Sequence, residues 1–371
     1  MRIAMFGHKR IPSREGGVEI VAENLSIRMV ALGHSVTCYN RGGHHVSGAE
    51  FDVRTADTHQ GVRLKTVPTL DRKGLAAVTS SFFAALCAAF SRAEAVHIHA
   101  EGPAFFCWLP KLTGKRVVVT VHGLDWQREK WKQGFGAKFI HAGEKMAVRF
   151  ADSIIVLSRN VQDYFRSTYG RETVWIPNGV TRPKRQEADW IRQQFGLETD
   201  GYLLFLGRLV PEKGIHYLID AYQKLYTDKS LVIAGGASDT DDYVSRLKEM
   251  AGENEKILFT GFVQGQALAE LYSNAYAYVL PSDVEGMPLS LLEAMSYGNC
   301  CVVSDIPECA EVVEDKAVVF RRGDVDHLAE KLQLLCDDRT MTDGFRQNAA
   351  DFICGKYSWD AVVEKTLELY Q

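Results

Sequence analysis

Short apolar runs of strand length alternate along the chain with longer segments whose apolar residues recur at helical spacing. The first run, residues 2–6, precedes a glycine-bearing loop, and Val18, Val21 and Leu25 then begin a helical pattern that Gly33 ends. Such alternation predicts a mostly parallel sheet covered by helices on both faces. Further strands in this half are predicted at 36–39, 95–99, 117–121, 154–157 and 174–176.

The pattern restarts after a polar stretch, residues 181–189, whose composition is typical of a linker. Strands are then predicted at 202–206, 231–234, 257–260, 277–280 and 301–304, and helices at 214–226, 241–251, 266–274, 288–297, 324–336 and 339–353, with a last helix from about residue 358. We therefore predict an α/β protein of two Rossmann-like, doubly wound domains, residues 1–180 and 190–356.

Polar motifs follow the predicted strands, and in doubly wound sheets ligands bind beyond the carboxyl ends of the strands. Two such polar edges predict a cleft between the domains. In the first half these polar residues are Arg14, His99, Glu101, His122 and Asn178, and in the second half they lie within 207–214 and 281–286.

The segment 207–214 carries two cations, Arg208 and Lys213, around a loop that enters a helix. Cations beside a helix start favour a diphosphate, through their charge and through the free backbone amides. The competing interpretation is a surface Arg and Lys around an ordinary turn.

Two carboxylates, Glu285 and Glu293, stand eight residues apart around the start of a predicted helix. Pro288 suits the first turn of that helix, and Gly286 lets a ligand approach the backbone. Carboxylates accept paired hydrogen bonds from vicinal hydroxyls, as on ribose or a hexose. The alternative for Glu293 is a solvated helix residue.

Three histidines lie in or after buried strands. His122 ends the apolar strand 117–121, a position that favours a functional over a structural role. His97 and His99 alternate in one strand and share a face, but no matching set of Cys, His or Asp ligands accompanies them, so we predict no metal site.

Charge, cysteine content and the absence of certain motifs limit the classes of protein to which the chain can belong. The chain has 371 residues and a net charge of −4, but residues 1–180 hold 24 Lys and Arg against 15 Asp and Glu, while residues 181–371 hold 19 against 32. The eight cysteines form no Cys-x-x-Cys pair, which favours reduced thiols in a cytosolic protein. We find no nucleic-acid recognition motif and no apolar run long enough to span a membrane.

The segment 126–150 mixes aromatic residues with six Lys and Arg and two Glu. Trp126, Trp131, Phe135 and Phe139 among these charges suit an anionic membrane surface. The alternative is an amphipathic helix packed on its own sheet.

Several motifs taken together resemble the family 4 retaining glycosyltransferases, in order and spacing along nearly the whole chain. They are Gly16-Gly17-Val18-Glu19, Val121-His122-Gly123, Pro177-Asn178-Gly179-Val180, Gly207-Arg208-Leu209, Glu212-Lys213-Gly214 and the pair Glu285-x7-Glu293. The resemblance implies a GT-B fold, a last helix (358–371) that crosses back to the first domain, a nucleotide-diphosphate sugar as co-substrate, and no metal or other cofactor.

The resemblance also implies roles for individual residues. Arg208 and Lys213 would hold the donor diphosphate and stabilise the leaving group, Glu293 would bind the ribose, and Glu285 would bind the donor sugar. The remaining donor contacts would come from Gly17, Gly286, Met287, Pro288 and Leu289. His122 would contact the transferred sugar, and Arg14, His99, Glu101 and Asn178 would lie on the acceptor side.

The loop 8–17 further resembles enzymes of bacterial capsule and O-antigen synthesis. This implies a glycan or lipid-linked acceptor and a cytoplasmic enzyme, peripheral on the inner face of the plasma membrane. Other functions compete with this interpretation: a nucleotide-sugar 2-epimerase of the same architecture, a non-catalytic binding module, and a nicotinamide-dependent dehydrogenase. The loop 7–17 is too long and too basic for the dinucleotide fingerprint that a dehydrogenase needs.

Overall fold

The computed structural model describes residues 1–44, 56–72, 74–124, 126, 135–238 and 240–371. They form two compact units, and each is considered by itself. Unit 1 comprises Met1–Asn178 together with Trp359–Gln371, and unit 2 comprises Gly179–Ser358.

Unit 1 is built on a sheet whose strands, in the described ranges, are β1 (Arg2–Phe6), β2 (Ser35–Arg41), β3 (Thr58–His59), β4 (Val62–Val67), β5 (Ala95–His99), β6 (Arg116–Val121), β7 (Ser153–Val156) and β8 (Val174–Trp175). Its helices before residue 178 are α1 (Gly17–Ala31), α2 (Leu75–Ala89), α3 (Glu101–Ala104), α4 (Trp108–Leu112), α5 (Phe135–Phe150) and α6 (Arg159–Tyr169). The strand order is β3-β4-β2-β1-β5-β6-β7-β8. All neighbouring strands are parallel except β3 and β4. The sheet grows outward from β1 in one direction through β2 and from β5 in the other, so the strand order reverses between β1 and β5.

Unit 2 repeats this design. Its described strands are β9 (Tyr202–Leu206), β10 (Ser230–Ala234), β11 (Ile257–Gly261), β12 (Ala277–Leu280), β13 (Cys301–Ser304) and β14 (Val318–Phe320), and they pair in parallel in the order β11-β10-β9-β12-β13-β14. Its helices are α7 (Trp190–Phe195), α8 (Ile215–Tyr222), α9 (Asp241–Ala251), α10 (Gly265–Asn274), α11 (Leu289–Ser296), α12 (Pro307–Val313), α13 (Val325–Asp337) and α14 (Arg339–Lys356). The order reverses between β9 and β12.

The last helix, α15 (Trp359–Glu368), belongs to unit 1 and packs on α1. The Arg28 guanidinium of α1 lies 5.8 Å from the centre of the Trp359 ring and pairs with Asp360. The return of the chain end to the first domain, which the resemblance implied, is therefore seen here.

The α/β class and the doubly wound sheets are confirmed, and each predicted strand is present to within two residues at either end. Three strands, β3, β4 and β14, were not predicted. Strand β4 alternates buried and exposed positions at the margin of the sheet, so its sequence VRLKTV lacks the continuous apolar run of the central strands.

The polar stretch 181–189 is not a free linker. Arg182 pairs with Asp351, and the backbone N–H of Gln186 donates to Ser273 Oγ at 2.9 Å. These bonds attach the stretch to unit 2, because Asp351 and Ser273 lie on its helices.

The cysteines form no disulfide among the described residues, and five of the eight are buried. Burial raises the pKa of the Cys38 and Cys107 thiols to about 12. These thiols therefore act as small apolar side chains. In the described ranges, no helix has both the length and the apolar character needed to cross a bilayer.

Candidate functional site

In unit 2 the two polar motifs meet at the point where the strand order reverses. Gly207 and Arg208 follow β9, residues 281–286 follow β12, and these two strands are neighbours in the sheet. Ligands bind at this edge in doubly wound sheets. The structure therefore places Arg208, Lys213 and Glu285 in the two loops that follow these neighbouring strands.

The loop 207–214 is fastened to the loop that follows β12. It contains one turn of 3-10 helix, Pro211–Lys213, which ends at Gly214 with φ 65°. A Cβ atom on Gly214 would lie 2.0 Å from the Pro281 carbonyl oxygen, so only glycine fits there. The Asp283 N–H also donates to the Glu212 carbonyl at 2.8 Å.

Lys213 and Glu285 form a salt bridge with little solvent exposure. Lys213 Nζ lies 2.6 Å from Glu285 Oε1, and the two side chains are 13% and 8% exposed. The Ser282 hydroxyl donates to the same carboxylate oxygen at 2.6 Å. Both charged groups are thus held in place before a ligand arrives, as electrostatic catalysis requires.

Helix α11 starts four residues after Glu285. Pro288 occupies the N-cap position, with φ −75° and ψ 99°, and helical residues begin at Leu289. The prediction that Pro288 lies in the first turn is wrong by one residue, because its ψ is extended. Gly286, Met287 and Leu289 are buried, so the chain enters α11 against the unit's core.

Glu293 lies on α11 and is half-buried. The Tyr272 hydroxyl of α10 donates to Glu293 Oε2 at 3.3 Å. The alternative interpretation, a fully solvated helix residue, is therefore not supported.

In unit 1 the corresponding edge lies at the ends of β1 and β5. Gly7, directly after β1, has φ +104°, and a Cβ atom there would lie 2.0 Å from the His99 carbonyl oxygen. The loop that follows is fixed by Asn40, whose Oδ1 accepts from the Ile11 N–H and whose Nδ2 donates to the Ile11 carbonyl. Gly16 then caps α1, and Gly17 is its exposed first residue.

A cluster of histidines occupies the ends of β5 and β6. The His97 and His99 rings stack with centroids 4.4 Å apart, and His99 Nδ1 lies 3.1 Å from His122 Nε2. His97 is held from both sides, since Nδ1 lies 2.6 Å from the Tyr370 hydroxyl and Nε2 lies 2.7 Å from Thr120 Oγ1. Both nitrogens of His97 have partners, so this residue has no nitrogen available for a metal.

The protonation of His97 follows from its partners. Tyr370 is buried and its phenol must donate, and the acceptor it meets among the described residues is His97 Nδ1. Nε2 of the neutral ring then carries the proton and donates to Thr120. Tyr370, from the end of the chain, thereby fixes the ring on which His99 stacks.

We expect unit 1 to lose stability in mild acid because of these histidines. Burial lowers the pKa of His8 and takes the pKa of His97 to about 3. Burial also holds the pKa of His99 well below its ordinary value, and the neighbouring imidazoles lower it further. Below pH 6.5 the unfolded chain binds protons that the folded state refuses, so stability falls as pH falls. Each group contributes up to about 1.4 kcal/mol per pH unit.

Thermal unfolding followed by circular dichroism between about pH 7 and about pH 5 tests this expectation. The melting temperature should drop over this window, and the drop should be smaller in His97→Gln. A melting temperature independent of pH would contradict the burial of neutral imidazoles.

The structure places the predicted acceptor-side residues in different environments. Arg14 is exposed on the loop before α1, Glu101 is the buried first residue of α3, and Asn178 is buried at the end of unit 1's first segment. His99 is fully buried. Only Arg14 of the four is therefore exposed.

The aromatic segment 126–150 packs inward where it is described. Trp126 stacks on His141 at 5.2 Å, and Phe139 contacts Phe105, both of them partly buried against the core of unit 1. Trp131 and the side chain of Phe135 lie outside the described residues. The described part therefore favours the alternative of a helix packed on its own sheet.

Sequence reasoning missed residues that support the site. They are Ser282 and Tyr272 in unit 2, and Thr120, Tyr370 and Asn40 in unit 1. Ser282 had a signal, because it stands three residues before Glu285. Tyr370 had none, since its partner His97 lies 273 residues earlier. In the described ranges no cluster of three His, Cys, Asp or Glu suits a metal ion.

Comparison with known proteins relates both halves of the chain to one kind of protein. The family model described as Glycosyltransferase Family 4 matches residues 15–182, and the model described as Glycosyl transferases group 1 matches residues 187–352. An uncharacterized glycosyltransferase of Methanocaldococcus jannaschii is 26% identical over 405 residues, covering 100% of this chain and 98% of the relative.

Two further proteins are informative. O-antigen chain mannosyltransferase B of Escherichia coli is 32% identical over 186 residues, which are 49% of this chain and 48% of that protein. The solved structure of HepE from Anabaena in complex with UDP-glucose has a TM-score of 0.80 and 19% identity, covering 99% of each chain. This structural likeness identifies the same two-domain fold.

Proposed function

The chain belongs to the family 4 glycosyltransferases of the GT-B fold, and from this premise we propose that it transfers a hexosyl or deoxyhexosyl group from a nucleotide-diphosphate sugar with retention of anomeric configuration. Unit 2 holds the donor in this proposal, and unit 1 binds the acceptor. The HepE structure, which contains UDP-glucose, supports a nucleotide sugar as donor.

The observation that carries the proposal is the salt bridge of Lys213 with Glu285, formed between the loop that also carries Arg208 and the loop after β12. These groups stand after β9 and β12, where the strand order reverses. In the proposed reaction the bond between the anomeric carbon and the diphosphate oxygen breaks, and negative charge develops on the diphosphate. Lys213 and Arg208 stabilise that charge, and no metal or other cofactor is invoked.

The carboxylates orient the donor in this scheme. Glu285, fixed by Lys213 and Ser282, accepts hydrogen bonds from the sugar hydroxyls, and Glu293 accepts them from the ribose. The backbone N–H groups of Gly286, Met287, Leu289 and Gly17 complete the polar donor contacts, and Pro288, which has no N–H, adds van der Waals contact. The acceptor hydroxyl then bonds to the anomeric carbon on the face that the diphosphate leaves, and its proton passes to the departing phosphate oxygen. His122 contacts the transferred sugar.

We propose a lipid-linked glycan as acceptor, in the synthesis of a bacterial surface polysaccharide. The similarity to the O-antigen mannosyltransferase of E. coli supports this pathway. Such an acceptor would place the enzyme in the cytoplasm, on the inner face of the plasma membrane. Arg14, Glu101, His99 and Asn178 remain the proposed acceptor-side residues.

A nucleotide-release assay over UDP-, dTDP- and GDP-sugars, with and without lipid-linked and free glycan acceptors, tests the proposal. One donor should release nucleotide only when an acceptor is present. Glu293→Ala should raise the KM for that donor by about tenfold or more, because a charge-assisted hydrogen bond contributes about 1.5–3 kcal/mol. Donor binding without turnover on any acceptor would contradict transfer.

A further inference from the structure

Helix α2 carries its large apolar side chains on the outside. None of its fifteen residues is charged, and its buried positions are all alanine or serine, among them Ala76, Ala84 and Ala88. Leu75, Phe82 and Phe83 are exposed instead. A helix of a water-soluble protein normally buries its large apolar residues and exposes polar ones, so this arrangement is inverted.

The exposed apolar side chains concentrate on and around this helix. Eleven large hydrophobic residues are exposed in the described ranges, and six of them form what we term the α2 face: Leu70, Leu75, Phe82, Phe83, Phe90 and Leu112. Helix α4, which ends at Leu112, packs on α2, and the Phe82 ring contacts Phe106 at 5.6 Å. Phe90 and Leu112 are 78% and 72% exposed. A concentrated patch of this kind marks an interaction surface.

Positive charge surrounds the α2 face. Residues 61–92 contain five Lys and Arg against one acidic residue, and residues 102–116 contain three against none, although Lys111 and Arg116 of this second group pair with Asp152. Arg72 and Arg92, at the two ends of α2, are exposed. The partner of this surface must therefore offer both an apolar interior and negative charge.

The opposite side of α2 lines a small polar cavity. This cavity, of about 40 Å³, is bounded by Ser80 and Ser81 of α2 and by His8, Lys9 and Arg41 from the ends of β1 and β2. His8 Nε2 donates to Asn40 Oδ1, which leaves Nδ1 of the buried neutral ring as an acceptor with no partner among the described residues. The cations Lys9 and Arg41, together with the acceptor nitrogen of His8, thus lie directly behind the α2 face.

We propose that the α2 face docks on a lipid bilayer that contains anionic lipid. Its Phe and Leu side chains enter the acyl boundary, while the flanking Lys and Arg meet the anionic headgroups. The cavity lies on the other side of α2, within about one helix diameter of the headgroup layer in which a lipid-linked acceptor carries its polar part. The link to the acceptor rests on the proposed function, whereas docking itself does not.

A second copy of the chain fits this surface less well. Pairing two α2 faces would bring their flanking positive charges together, which is repulsive. An anionic bilayer satisfies both the apolar stripe and the charge at once. This surface also differs from the segment 126–150, whose described aromatic side chains pack inward.

Vesicle flotation tests the proposal on the full chain. Wild-type protein should float with vesicles of phosphatidylcholine and phosphatidylglycerol, bind phosphatidylcholine alone far less, and be released by salt. Phe90→Glu combined with Leu112→Glu should lower the partition coefficient by about tenfold or more, because charges replace apolar groups at the acyl boundary. Tyr226→Glu combined with Leu334→Glu, at exposed positions of unit 2, is the matched control and should bind like wild type.

Melting temperatures show whether each variant folds, and a change at exposed sites should leave them nearly unaltered. Binding by the Phe90/Leu112 variant equal to wild type would overturn the proposal. Salt-insensitive binding to neutral vesicles would do the same, as would self-association that this variant abolishes. Nucleotide release with a free glycan acceptor is measured in parallel: the variant should keep it, so a failure of docking and a failure of the proposed transfer remain distinguishable.

Discussion

Lys213→Ala is expected to lower kcat by about a hundredfold to a thousandfold, the loss seen when one preorganised group that stabilises developing charge is removed. The structure holds Lys213 through Glu285 at 2.6 Å and through the Gly214 turn that follows it. Initial rates of nucleotide release at saturating donor measure the effect. A loss of less than about threefold would contradict a role in leaving-group stabilisation.

Breaking this salt bridge should also lower the melting temperature. The Glu285 side chain is only 8% exposed, so its carboxylate would stay buried without a cation beside it. Lys213→Met combined with Glu285→Gln removes both charges and should recover the melting temperature without recovering turnover. Lys224→Ala is the matched control: Lys224 pairs with Asp326 at 2.5 Å, but these side chains are 50% and 86% exposed. Its loss should leave both rate and stability nearly unchanged.

Gly214→Ala is expected to impair both folding and turnover. The new Cβ would lie 2.0 Å from the Pro281 carbonyl oxygen and 2.9 Å from the Tyr217 ring, so the loop 207–214 must move away from the end of β12. That movement displaces Lys213 from Glu285. We expect a tenfold or greater loss of kcat, since misplacing a catalytic group by about 1 Å can cost about a hundredfold.

Gly196→Ala separates this clash from ordinary backbone strain. Gly196 has φ 65° and ψ 23°, and Gly214 has φ 65° and ψ 22°, but a Cβ on Gly196 would meet nothing within 4 Å. Gly196→Ala should therefore cost about 1–2 kcal/mol, the penalty for alanine in the left-handed region. Gly214→Ala should cost at least about 2 kcal/mol more, because overpacking adds to that penalty. Equal losses of stability in denaturant unfolding, with turnover intact in both, would contradict the account of this loop.

Much of the fold was predictable because the sequences of buried parallel strands are continuous apolar runs. The runs 202–206 and 277–280 located β9 and β12 without error, and the polar residues after them located the candidate donor site. The short marginal strands β3 and β14 gave no such signal, since two or three residues cannot establish a period.

The details of the site were less predictable because they depend on contacts between distant segments. The structure supplies the contact between Lys213 and Glu285, whereas the roles of Arg208, Lys213 and Glu285 in holding the donor stay predictions. The pairing of Tyr370 with His97 joins the end of the chain to β5, and nothing in either local sequence indicates it. For the segment 126–150, composition suggested a membrane-facing surface. It did not reveal that Phe139 packs against the core of unit 1.

The most direct test of the central claim is to identify the product formed from the donor that turns over. Mass spectrometry and NMR of the acceptor after reaction should show one added glycosyl residue in the anomeric configuration of the donor, with nucleoside diphosphate released in equal amount. An unmodified acceptor together with an epimerised or hydrolysed donor would contradict transfer and would assign the same site to a different reaction.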